Sequence, residues 1–143
     1  MIVLDTTVLV YATGGDHPAR TPCARLVDAI GDGLAATTTV EVIQEFVHVR
    51  TRRAGRETAV ELGRRYLRLL EPLLAPDETV LERGLDLYAR HPLGMFDSVL
   101  AATAIASGVR ALVSAHRAFG QVPGLRHIDP TAPASLADLG VDG

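Results

Sequence analysis

The opening stretch Met1-Ile2-Val3-Leu4-Asp5-Thr6-Thr7-Val8-Leu9-Val10-Tyr11 decides the fold. Ile2, Val3 and Leu4 form a short aliphatic run that stops at a polar residue, the pattern of a buried strand in a parallel sheet. Val8 to Tyr11 read as the start of a helix. Asp5 therefore stands at the carboxyl end of a strand, where open parallel α/β sheets place their ligand crevice. Two roles are open to it: Asp is a favoured helix N-cap, and it is also a carboxylate at the mouth of a crevice.

Outward from that stretch the chain alternates. Gly14, Gly15 and Asp16 make a turn, and a helix follows over about 19–30, closed by Gly31-Asp32-Gly33. Residues 34–37 read as a second strand. Thr38 or Thr39 caps a helix running to about Arg53, and Ala54-Gly55 stops it. Further helices are expected over about 57–70, from Asp77 or Glu78 to Arg90, and from Phe96 or Asp97 to Gly108. Residues 111–113 form a third buried strand, His116 to Phe119 a single helical turn, and 125–128 a last short strand. Strand, helices, strand, helices, strand is the α/β alternation, so the expected architecture is a parallel sheet covered by helices. Residues 1–130 make one domain, and the tail 131–143, with Pro133, Gly140 and Gly143, is expected to be partly loose.

Composition bounds the function. A chain of 143 residues is long enough for a core. No apolar run approaches the ~20 residues of a membrane span, and the N-terminal run is too short for a signal peptide. A single cysteine, Cys23, allows no internal disulfide and suits a reducing cytoplasm. No zinc pattern and no Walker or dinucleotide loop is present, which argues against an NTPase or a dehydrogenase. The basic residues are all arginine, the side chain that grips phosphate with a two-pronged fork. Net charge is only −3, so nucleic-acid contact has to come from local arginine clusters.

Three carboxylates fall where they can converge: Asp5 after the first strand, Glu45 on the helix after the second, and Asp97 at the start of the helix before the third. Singly, each has an ordinary explanation. Asp97 can be an N-cap. Glu45 lies with Glu41, His48 and Arg52 at spacings of three or four, as on a solvated helix face. Together they suggest a site for a hard divalent cation, which prefers carboxylate oxygens and offsets their mutual repulsion.

These residues carry a resemblance. Residues 2–11 (IVLDTTVLVY), 39–46 (TVEVIQEF), 93–104 (LGMFDSVLAATA) and 113–119 (VSAHRAF) resemble, in order and spacing, the four blocks of PIN-domain ribonucleases. Chain length and the segment GLRHIDP point to the VapC toxin group of toxin–antitoxin pairs. The resemblance implies a PIN-like (Rossmann-like) three-layer α/β/α fold with a central parallel sheet. It implies RNA cleavage dependent on Mg²⁺ or Mn²⁺, with Asp5, Glu45 and Asp97 as the catalytic acids and metal ligands. It also implies a homodimer and a small antitoxin, together a heterotetramer or larger, with no membrane association. Thr7 and Ser114 match small polar positions and read as supporting hydrogen-bonders. The chain departs from the pattern at His116, where an acid is common; His116 becomes a possible second-metal position. Arg50, Arg52, Arg53 and Arg56 are candidate RNA or antitoxin contacts. The alternatives are a PIN nuclease of RNA processing and a catalytically weak binding module.

Overall fold

Ile2, Val3 and Leu4 are each at most 1% exposed, as their unbroken apolar run requires in a strand covered on both faces. They form β1 (Ile2–Leu4) of the computed structural model, which describes residues 1–141. α1 (Thr6–Thr13) and α2 (Arg20–Gly31) follow, then β2 (Ala36–Thr37), α3 (Val40–Ala54), α4 (Arg56–Leu70), α5 (Glu78–Arg90), α6 (Met95–Ala106), β3 (Ala111–Val113) and β4 (His127–Ile128). Two short 3-10 turns cover Arg117–Gln121 and Ala137–Leu139. The sheet has the order β2-β1-β3-β4, and every pairing is parallel. β2 and β4 are each two residues long, shorter than their sequence runs suggest.

From β1 the chain moves to β2 on one side, then crosses to β3 on the other. The order reverses between β1 and β3, which makes their carboxyl ends the topological switch point. The register puts Leu4 opposite Val113, so Asp5 and Ser114 leave the sheet side by side.

Caps explain the helix boundaries. Asp5 caps α1 and Asp77 caps α5, each accepting from a backbone N–H of the first turn. Of the two threonines competing to cap α3, Thr39 does so, accepting from Val42 N at 3.2 Å. Thr38 instead donates to the Leu4 carbonyl at 2.7 Å and ties α3's entrance to β1. α6 starts earlier than expected: its cap is Gly94, and Asp97 sits inside the first turn. The capping role for Asp97 is thereby overturned, and its carboxylate is released for other work.

The tail differs from the expectation of a partly loose segment. Leu136, Leu139 and Val141 are buried in the same core as the sheet, and Arg126 pairs with Asp138 at 2.8 Å. The last two residues of that tail, 142 and 143, lie outside the described residues. Among the described residues no helix is long and apolar enough to cross a membrane.

Candidate active site

Asp5 is 4% exposed, and its Oδ2 collects three donors: Ser114 Oγ at 2.7 Å, Thr7 Oγ1 at 2.9 Å and Thr7 N at 3.4 Å. The capping role and the crevice role are therefore compatible, because one oxygen is held by the turn while Oδ1 has no protein partner among the described residues. Ser114 and Thr7 are placed in turn by the loop after β3. His116 N donates to Ser114 Oγ at 2.9 Å, and Ala115 N donates to Thr7 Oγ1 at 3.0 Å.

Glu45 projects from the second turn of α3. Its Oε2 accepts from Thr6 Oγ1 at 3.0 Å. Asp97 Oδ2 meets His116 Nδ1 at 2.7 Å. An ionised carboxylate can only accept, so the ring proton is assigned to Nδ1. His116 thus belongs to the site, but through Asp97.

The three carboxylates share one cleft. A cavity of about 530 Å³ is lined by the acids Asp5, Glu41, Glu45 and Asp97 and by the apolar Pro76, Leu81, Met95, Phe96 and Val99. A second cavity, of about 330 Å³, opens from the same three acids toward Thr7, Tyr11, Arg53 and His116. Burial holds the Asp97 carboxyl above its ordinary range, and the charge of Asp5 adds to this; the bond and charge of His116 pull the other way. Glu45 is also raised, first by burial, with the charges of Asp5 and Asp97 adding and the Thr6 hydrogen bond opposing.

Among the described residues, no three His, Cys, Asp or Glu side chains are already drawn together as a closed cation site. The donor set nevertheless fits a hard cation that keeps several of its waters. It is all carboxylate, and two of its members carry a charge that their surroundings disfavour. Asp5 Oδ1 is free to ligate.

Of the candidate arginines, only Arg53 borders this cleft. Arg50 has its Nε buried without a partner, Arg52 is exposed, and Arg56 lines a separate cavity with Arg64 and Arg68. Sequence reasoning missed two residues. Thr6, next to the expected hydrogen-bonder Thr7, is the residue that holds Glu45. Glu41 was set aside in favour of Glu45, yet it lines the cleft with Oε2 buried and unpartnered. His127 sits in β4 with its Nε2 2.8 Å from the Ser114 carbonyl oxygen.

Residues 2–125 match the family model for the PIN domain. The chain belongs to the PIN-domain family. This PIN domain is 50% identical, over 98% of its length and 99% of the relative's, to Ribonuclease VapC7 of Mycobacterium tuberculosis. It is 25% identical to Ribonuclease VapC13 of the same organism, over 90% of this chain and 99% of that one. The PIN fold is shared with a chain of VapBC2 from Rickettsia felis, solved bound to a DNA fragment from its promoter. That match has a TM-score of 0.70 at 19% identity and covers 89% of this chain and 97% of that one. A chain of a toxin–antitoxin complex from Klebsiella pneumoniae matches with a TM-score of 0.70 at 18% identity, covering 91% and 98%.

Proposed function

We propose that this PIN domain is a VapC-type toxin, an endoribonuclease that uses Mg²⁺ or Mn²⁺ to hydrolyse RNA phosphodiester bonds. A small cognate antitoxin restrains it, and both act in the cytoplasm. The observation that carries the reading is the meeting of Asp5, Glu45 and Asp97 in one cleft at the sheet's switch point. The half-identity to a ribonuclease along nearly the whole chain supports it.

Asp5 and Asp97 would hold the cation, with Glu45 binding it directly or through a water. Held there, a divalent cation would supply activation of water and neutralisation of charge on the phosphoryl group. The chain's own residues prepare the place. Ser114 and Thr7 fix Asp5, Thr6 fixes Glu45 and His116 fixes Asp97, so each acid is held from behind. Such support for ligating groups is worth about 10–100-fold in metal affinity or activity. The imidazole of His116 serves Asp97 through Nδ1 and leaves Nε2 as its one free donor toward a second metal.

The test is RNA cleavage by the purified chain with Mg²⁺ or Mn²⁺, alongside Mn²⁺ binding by calorimetry. Cleavage should stop on chelation and in Asp5→Asn, whose Mn²⁺ affinity should collapse while its circular dichroism is retained. Cleavage that persists in well-folded Asp5→Asn would rule this reading out.

A further inference from the structure

We propose that Arg53 receives the RNA phosphate next to the one cleaved, and so determines on which side of the acids the strand runs. This rests on the ribonuclease reading and deepens it. Glu45, Val49 and Arg53 recur at spacings of four along α3, and all three line the smaller cavity beside Asp5 and Asp97. Residues at that spacing form one stripe of a helix. Two turns separate the backbones of Glu45 and Arg53 by about 12 Å along the axis. Long helical side chains lean back toward the N-terminus, so the guanidinium approaches the acids.

It does not collapse onto them. Among the described residues Arg53 makes no ion pair within 4 Å. An exposed guanidinium is thus held beside a carboxylate cleft with its fork unspent. Phosphate matches that fork in charge and geometry. A phosphate at the carboxylates needs a cation between; a neighbouring phosphate in the smaller cavity needs only Arg53. The other candidate arginines have no such position. Arg50 is folded inward, Arg52 borders neither cavity at the acids, and Arg56 opens elsewhere. The larger cavity offers no cation at all among its lining residues. The two sides of the acid cluster are therefore unequal, and the charged backbone is directed to the Arg53 side.

The test uses a short fluorescein-labelled single-stranded RNA of mixed sequence, followed by anisotropy across a salt series. Binding is measured in the Asp5→Asn background, so that the probe stays intact, and kinetics in the otherwise native chain. Arg53→Ala should weaken binding about tenfold, the scale of one charge-assisted contact. The slope of log affinity against log salt should become shallower by about 0.7, the value for one phosphate contact on a single strand. KM should rise with kcat held, because the contact is the same in ground and transition states. Arg53→Lys should recover part of the affinity. Arg90→Ala, an equal change of charge at the exposed end of α5, should leave the slope alone. The proposal is overturned if Arg53→Ala matches its parent in affinity and slope while native RNA cleavage is intact. It is equally overturned if Arg53→Ala lowers kcat at unchanged KM, or if it relieves only inhibition by the antitoxin. A native chain that neither binds nor cleaves RNA would defeat the ribonuclease reading itself, and this inference with it.

Discussion

At the scale of single residues, the site holds two acids whose charge the fold resists. Asp97 and Glu45 are both raised, by burial first and by their neighbours' charges after it. A carboxyl raised in the folded state costs nothing below its unfolded pKa and its full penalty above the folded one. The metal-free protein should therefore lose stability as pH rises through the interval from ordinary carboxylate values to the raised ones. Asp97→Asn removes one charge. At neutral pH it should raise the metal-free melting temperature by about 3 °C, a gain of order 1 kcal/mol. The gain should shrink toward pH 4, where the unfolded carboxyls are themselves about half protonated, and vanish only below that. Differential scanning calorimetry at the two pH values checks this, and an equal shift at both would refute it. His116 gives a second prediction. Its bond to Asp97 makes it an orienting group, so His116→Ala should weaken Mn²⁺ binding about tenfold. His116→Asp, which adds a hard oxygen donor, should favour Mg²⁺ instead. Superimposable titrations of these variants and the native chain would show that the bond is idle.

At the scale of elements, the position of Asp97 depends on how α5 and α6 meet. Gly84 is buried on α5, and a Cβ built there would lie 2.9 Å from Val99 Cγ2 and 3.1 Å from its Cα. The absence of a side chain is what lets α5 close on α6, two residues from Asp97. Alanine at a helical glycine gains about 1 kcal/mol in propensity, but overpacking against backbone costs about 1–3 kcal/mol. Gly84→Ala should therefore lose about 1 kcal/mol net, about 3 °C in melting temperature for a domain of this size. RNase activity should fall with it as α6 shifts. A variant that melts higher than the native chain would mean the two helices have slack. Gly63 on α4 is equally constrained: a Cβ there would lie 2.5 Å from Val47 Cγ2, on a branched side chain that a helix holds to one rotamer.

At the scale of the whole molecule, α5 leaves Leu81, Leu85 and Tyr88 45%, 46% and 52% exposed along one face, and Phe96 beyond them is 77% exposed. Residues spaced by four and three make a continuous stripe, and an apolar stripe of this kind marks an interface. The family resemblance implies a homodimer, and a second copy of this chain is the partner we assign to the stripe. The purified chain should be dimeric at micromolar concentration by light scattering, and Leu85→Glu should be monomeric. A native monomer, or a Leu85→Glu dimer, would exclude that use of α5.

The sequence by itself determined the order of elements, because apolar runs, caps and glycine stops are local signals read within a few residues. β1, the helix after it and a threonine cap at 38 or 39 were all legible in this way. So was the family, because four blocks in order carry more information than any one of them. Only the tertiary structure decided what the boundary residues touch. Asp97 looked like a cap until α6 began at Met95, with Gly94 as its cap. His116 read as a second-metal position, and only the loop after β3 brought its ring 2.7 Å from an acid 19 residues earlier. Thr6 gained a role only when α3 laid Glu45 beside it, and Leu136, Leu139 and Val141 of the tail became part of the core. Each of these is a contact between distant positions, set by the pairing of strands and the docking of helices, and no local pattern encodes it.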